Sequence, residues 1–240
     1  SVTKEILVEM KNSGFDSMML GFETVSDHLM KVINKNETVE DNVNAILLGN
    51  EIGLSTEATF IFGFPEENYK NRINALHLTR AVELDRARFN IATPYPGTKF
   101  YDIAVAQQKL NKADNWDNFS SAAAVTGSIF KKYKVPYCPE GTKPLDLSGE
   151  VFLANLLFYI YPKKLLKLFN PKKKGSGKWF EFPLKKIINP LWWINLFALI
   201  AMILIKTLYY LLVSNECKRF FISGFFKSSR KVYKKEFDTK

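Results

Sequence analysis

Thr59-Phe60-Ile61-Phe62-Gly63-Phe64-Pro65-Glu66-Glu67 is the stretch whose reading decides the fold. Side chains alternate along a strand, so Phe60, Phe62 and Phe64 point one way and Thr59, Ile61 and Gly63 the other. Three phenylalanines on one face need a helical layer to bury them. The lean face leaves room for something flat against the backbone, with Gly63 withdrawing its own side chain from the path. Pro65 ends the strand, and Glu66 and Glu67 open a helical pattern. A bulky outer face, a lean inner face and a break at the carboxyl end describe a ligand-bearing barrel strand.

The same logic recurs on either side. In Ser17-Met18-Met19-Leu20-Gly21-Phe22-Glu23, Met18, Leu20 and Phe22 share one face and Ser17, Met19, Gly21 and Glu23 the other. In Arg88-Phe89-Asn90-Ile91-Ala92-Thr93, Phe89 and Ile91 oppose Arg88, Asn90 and Ala92, and the turn Pro94-Tyr95-Pro96-Gly97-Thr98 follows. Helical stretches separate the strands. Residues 2–13 are amphipathic and close at Ser13-Gly14. Ser26 and Asp27 cap a short helix through Val32, and Thr38 to Asp41 start a longer one ending at Gly53. Asn68–Leu84 and residues 99–108 complete the alternation, and residues 148–169 look helical again. Strand-helix alternation predicts parallel strands with right-handed crossovers.

Four of these motifs, Gly21-Phe22-Glu23-Thr24, Ile33-Asn34-Lys35, Phe62-Gly63-Phe64-Pro65-Glu66 and Pro94-Tyr95-Pro96-Gly97-Thr98, stand in one register. In order and spacing they resemble the second half of a radical S-adenosylmethionine (radical SAM) core, most closely its cobalamin-binding branch. The resemblance is specific over residues 1–110 and continues loosely to about 170. It implies the C-terminal half of a (β/α) partial barrel over 1–110. Composition then marks a loop-rich and helical extension over 111–170, a basic linker over 171–186 and an apolar, basic tail over 187–240.

The resemblance also implies chemistry. Such enzymes reductively cleave S-adenosylmethionine at a [4Fe–4S] cluster to start radical reactions on an organic substrate: methylation, cyclisation or rearrangement. They draw electrons from a donor protein and, in this branch, use cobalamin. The cluster's three cysteines normally share one short motif. Cys138 and Cys217 do not form it. The cluster ligands and the cobalamin domain are therefore expected upstream of Ser1, leaving this chain alone inactive. The positions that match the cofactor-binding pattern are Gly21, Glu23, Thr24, Ile61, Gly63, Glu66, Asn90, Thr93 and Tyr95. Glu23 would meet the ribose or the amino acid moiety, because a carboxylate accepts from two hydroxyls or an ammonium; its other role is a helix-capping acid. Ile61 and Gly63 would lie under adenine, with Thr59 replacing the pattern's first glycine. Glu66 would structure its turn, Asn90 and Thr93 could reach the adenine edge, and Tyr95 either reaches it or packs the turn. His28 and His77 read as surface residues on helices, and Glu66-Glu67 as a solvated acidic pair at a helix end.

Composition bounds the rest. The chain has 240 residues and a formal net charge of +10, but residues 163–240 hold 18 Lys/Arg against 4 Asp/Glu. The basic character therefore belongs to the tail, where it is interleaved with Trp, Phe, Tyr and Leu. That pattern suits an anionic membrane surface better than a nucleic-acid groove. Two cysteines make no disulfide framework and imply a reducing, cytoplasmic setting. Residues 187–213 are strongly apolar, but the uninterrupted run Leu196–Ile205 is half a span. An interfacial or re-entrant helix, a true span and a buried core helix all remain open there, and an anchored protein with a lipid-like substrate is one version. Two rival functions stay in view: another barrel enzyme that grips a phosphorylated ligand, and a membrane-associated, non-catalytic interaction protein.

Overall fold

A computed structural model describes residues 2–111, 119–122, 125, 134–169, 190–227, 229, 232 and 233. Three strands, β1 (Ser17–Glu23), β2 (Ser55–Phe62) and β3 (Arg86–Ile91), form one open parallel sheet in the order β1-β2-β3. The crossovers contain α2 (Asp27–Val32) with α3 (Val39–Ile52), and then α4 (Tyr69–Ala81). The α1 helix (Lys4–Asn12) precedes the sheet and α5 (Lys99–Ala106) follows it. This is the α/β architecture expected.

Local chemistry sets the helix ends. Thr38 and Asp41 bond each other's backbone N–H groups at the start of α3, and Asn68 and Asn71 do the same for α4. Gly53, at φ +84°, closes α3 in the left-handed conformation. The α4 helix begins after Asn68, so Glu66 and Glu67 form a turn rather than opening the helix.

The bulky face is built as a ladder of rings. Phe22 stacks on Phe60 at 5.0 Å, Phe60 on Phe89 at 5.3 Å, and Phe62 tilts against Phe89 at 5.4 Å. All four rings are buried. Phe64 leaves this ladder. Gly63 takes φ +101°, the strand stops at Phe62, and Phe64 swings to Phe100 at 6.3 Å. The β2 strand also starts earlier than its apolar pattern, at Ser55, because buried polar groups there find partners: Thr56 Oγ1 donates to Asn50 Oδ1 (2.8 Å), and Glu57 pairs with Arg86 (2.8 Å).

The stretch 148–169 is two helices, α6 (Pro144–Tyr159) and α7 (Pro162–Phe169). Pro162 has no N–H and biases Tyr161 out of the helical region, which breaks the run. The α6 helix packs on β3 and α4 and closes the sheet's outer edge with side chains. Asn155 accepts from Phe89 N (3.2 Å) and donates to Phe89 O (2.8 Å), and Tyr159 donates to Ala87 O (3.2 Å). Ile91 N donates to Ser121 O at 2.9 Å.

The apolar region folds as α8 (Pro190–Val213) and is followed by α9 (Asn215–Phe226). The α9 helix belongs to the main core: Cys217 and Phe220 are buried in the same cluster as Phe22, Phe60 and Leu157. Arg80 of α4 donates to the carbonyls of Leu157 and Gly224, tying α4, α6 and α9 together. Ser214 caps α9 by accepting from Cys217 N (2.9 Å) while donating to Asp146 Oδ1 (2.6 Å). Only the last third of α8 is seated. Lys206 and Tyr210 are its buried residues; Lys206 Nζ donates to Val125 O (3.2 Å) and lies 4.9 Å over the Phe152 ring.

Candidate functional site

The matched positions collect at the carboxyl end of the sheet, where the chain leaves each strand. In register, Gly21 lies beside Thr59 and Thr59 beside Arg88, while Ile61 lies beside Asn90. These residues share the lean face. Gly21 and Arg88 are exposed, and Ile61 and Asn90 half-buried, so this face is open where the phenylalanine face is closed.

Glu23 has the most distinctive environment. A register shift between Gly21 and Glu23 places Phe22 as an extra residue, and Glu23 adopts φ +65°, a left-handed backbone that non-glycine residues rarely hold. One carboxylate oxygen, Oε1, lies 2.6 Å from where a Cβ on Gly21 would stand, so Gly21 makes room for it. The other, Oε2, is buried without a hydrogen-bond partner, as is the neighbouring Thr24 Oγ1. Burial raises the Glu23 pKa, Lys35 lowers it and Glu37 raises it further.

Lys35 arrives by a specific turn. Asn34, at φ +56°, reverses the chain after α2, and Lys35 N bonds back to Met30 O at 2.8 Å. Its ammonium then donates to Gly21 O and sits 3.4 Å from Glu37 Oε2. The Ile33-Asn34-Lys35 motif thus delivers a cation to the strand end, a role its sequence signals only by spacing.

At the end of β2, Gly63 is fixed from two sides. Its N–H donates to the buried Glu67 carboxylate, and a Cβ there would meet Leu147 of α6 at 2.8 Å. Its freedom is used for the turn and for close packing of α6, where the sequence suggests clearance for a ligand. Glu66, also left-handed at φ +66°, is exposed and holds His28 Nε2 at 2.7 Å. His28 is a surface residue, as expected, but it bridges two strand ends.

Glu67 is the residue sequence reasoning missed. Far from being solvated, it is buried with Arg72 and Glu150. Arg72 Nη1 lies 3.7 Å from Glu67 Oε2, its Nε donates to Glu150 Oε2, and its Nη2 donates to Thr142 Oγ1 at 3.4 Å. Burial pushes Glu67 up to about 8 and Glu150 up to about 7, against the pull of Arg72. Both carboxylates therefore hold a proton more readily than exposed ones do, beside one permanent cation. His77 also departs from expectation. It is buried beside Ser229 Oγ (3.1 Å), and burial lowers its pKa to about 4.

The end of β3 is largely self-satisfied. Thr93 Oγ1 donates to Ile91 O (3.2 Å). The Tyr95 hydroxyl donates to Phe119 O (3.3 Å), and its ring packs 6.4 Å from Phe119. Thr98 caps α5, accepting from Tyr101 N at 3.2 Å.

Metal chemistry has no seat in these residues. Among those described, no group of three or more His, Cys, Asp or Glu is placed to hold a metal ion. Cys138 and Cys217 are free thiols, each pushed up to about 12 by burial, so neither is a ready thiolate ligand. The described residues supply no iron–sulfur ligand set, and the two cysteines of the sequence are too few for a three-cysteine motif. It does fit the polar end of a nucleoside or amino acid, because Glu23 Oε2 and Thr24 Oγ1 are buried and unsatisfied at the open strand end.

Residues 1–79 match the family model described as the radical SAM superfamily. Over these residues the chain is similar to that superfamily. An uncharacterized methyltransferase of Pyrococcus horikoshii is 28% identical over 164 residues, covering 68% of this chain and 33% of its own length. The bacteriochlorophyllide d C-12(1)-methyltransferase of Chlorobaculum tepidum is 25% identical, over 76% of this chain and 34% of its own. An anaerobic magnesium-protoporphyrin IX monomethyl ester cyclase of Cereibacter sphaeroides is 31% identical, over 41% of this chain and 16% of its own. The chain therefore spans about a third or less of the curated relatives it matches.

Proposed function

We propose that this chain contributes the nucleoside-holding rim of a radical SAM enzyme that acts on an organic substrate. Supporting this is the Glu23 carboxylate: left-handed backbone, one oxygen beside Gly21, the other buried and unsatisfied. A carboxylate so placed accepts from ribose hydroxyls or an ammonium, and the neighbouring Thr24 hydroxyl offers a second contact. Lys35 limits the charge cost of burying the acid and holds the Gly21 carbonyl. Ile61 and Asn90 line the adjoining lean face, where a flat base would lie, and Thr93 and Tyr95 shape its far end. Gly63 and Glu66 set the turn between them. S-adenosylmethionine, when bound, supplies the radical chemistry; the residues here bind it, orient it and exclude water.

The printed names of the relatives favour methyl transfer or ring closure as the reaction. A cobalamin-assisted version, an electron-donor protein and ligation of the [4Fe–4S] cluster by another part of the protein belong to the same reading. The exposed apolar surface of α8 and the basic tail add association of a cytoplasmic enzyme with a membrane, and with it a lipid-like substrate.

The test is anaerobic titration of full-length protein with S-adenosylmethionine. Glu23→Gln should weaken binding about tenfold, the loss expected for a charged hydrogen bond. Unchanged affinity in a folded variant would remove Glu23 from the site and, with it, the support for this reading.

A further inference from the structure

The α8 helix is 24 residues long, and its most apolar 18-residue window has a mean hydropathy of 2.3 and is only 17% buried. Phe197, Met202, Leu204, Leu208 and Leu212 are among its exposed side chains. By length alone it could cross a bilayer. The connections at its two ends decide otherwise.

Before the helix, the chain is held to the body at Lys164, whose ammonium donates to Leu84 O and Asp85 O. In its last third and just after it, the chain is held at Lys206, Tyr210, Ser214, Cys217 and Phe220. Both attachment points lie on one packed core, hence on one side of any membrane. A helix that crossed between them would need a second crossing to bring the chain back. The return would fall to residues 170–189, which carry Lys172, Lys173, Lys174, Lys178, Lys185 and Lys186 against Glu181 alone. Such a load of ammonium groups does not cross hydrocarbon.

We infer that α8 lies within one leaflet of an anionic membrane, with both its flanks on the enzyme's side. This rests on the membrane association proposed above and specifies its mode. In sequence, six lysines stand just before α8 and suit an anionic surface. Exposed Lys218 and Lys227 flank the other end. The rim formed by Glu23, Ile61 and Asn90 belongs to a body held at the lipid boundary.

Two measurements on the full-length protein test this. In flotation, vesicles of equal parts phosphatidylglycerol and phosphatidylcholine should capture the protein at least about tenfold better than phosphatidylcholine alone. Phe197→Glu with Leu208→Glu should abolish capture without unfolding, since both side chains are exposed. In sealed inside-out vesicles from expressing cells, Ser176→Cys and Lys218→Cys, each in a Cys138→Ser background, should both react with a membrane-impermeant maleimide. Reaction of only one would establish a span and overturn the one-leaflet arrangement while leaving membrane association intact. Capture that ignores lipid charge, or that survives the double glutamate variant, would overturn the proposed surface. No capture by either vesicle, with concentration-dependent self-association instead, would assign α8 to a second copy and overturn membrane association itself.

Discussion

Arg72 and Glu150 are 78 residues apart in sequence and joined by a buried hydrogen bond from Nε to Oε2. That bond fastens α6 to the helix leaving β2, and through Glu67 it reaches the turn that ends the strand.

Arg72→Leu leaves two buried carboxylates without their cation. Loss of one partner from such a cluster costs about 3–5 kcal/mol. Urea unfolding should show that loss, and the double variant Arg72→Leu, Glu150→Leu should recover a large part of it. A double variant no better than the single one would mean that packing, rather than unpaired charge, sets the cost.

The same cluster predicts a pH dependence. Glu67 and Glu150, ordinarily near 4.5, are held up to about 8 and about 7 by burial. The folded state therefore binds protons that the unfolded chain has released. Their contribution to stability is complete below pH 4.5 and is lost as pH rises through 7 and 8. The urea midpoint should fall on the alkaline side of neutrality. Glu67→Gln keeps the acceptor for Gly63 N–H and removes one titration, so it should flatten that fall. An equally steep fall in the variant would exclude Glu67 as its source.

Gly63→Ala tests the turn. A Cβ would meet Leu147 and force φ +101° on a residue that disfavours it. Each effect is destabilising, and together they should cost about 1–3 kcal/mol. Leu147→Ala in the same chain relieves the contact but not the backbone, so the pair should remain less stable than Leu147→Ala alone.

Gly149→Ala reports whether the C-terminal helices are docked. Glycine inside a helix is worse than alanine by about 1 kcal/mol, so a solvent-facing Gly149 would gain from the change. Here an added Cβ would sit 2.7 Å from Tyr210 Cδ1 and against Cys217 Sγ. Docking predicts destabilisation and faster proteolysis within residues 190–227, whereas stabilisation would mean that α9 does not pack there.

The strands and helix caps were legible because their signals are local. Alternation marks Met18, Leu20 and Phe22, and the stretch Thr38 to Asp41 marks a helix start within four residues. The lean face was legible for the same reason. Polar burial was not. Glu67, Arg72, His77 and Glu150 look like solvated charges in sequence; Arg72, His77 and Glu150 find partners tens of residues away, and Glu67 is drawn in by Gly63 N–H and Arg72. Ser55 and Thr56 hid the start of β2 in the same manner. Phe64 misled in the other direction: its spacing matches the ladder, but the left-handed Gly63 turns it out. Lys35 stood inside a recognised motif, yet its contact with Gly21 depends on the conformation of Asn34, which spacing does not specify.

The amide of Asn155 gives the sheet a direction of growth. A strand's free edge invites another strand, and β3 has spent its own: Phe89 is matched on both N–H and C=O by that one side chain, and Ile91 N–H by Ser121. A fourth strand arriving at β3 would have to evict α6. Growth of the sheet is therefore closed off on the β3 side, and foreign chains that seek a template find no free edge there.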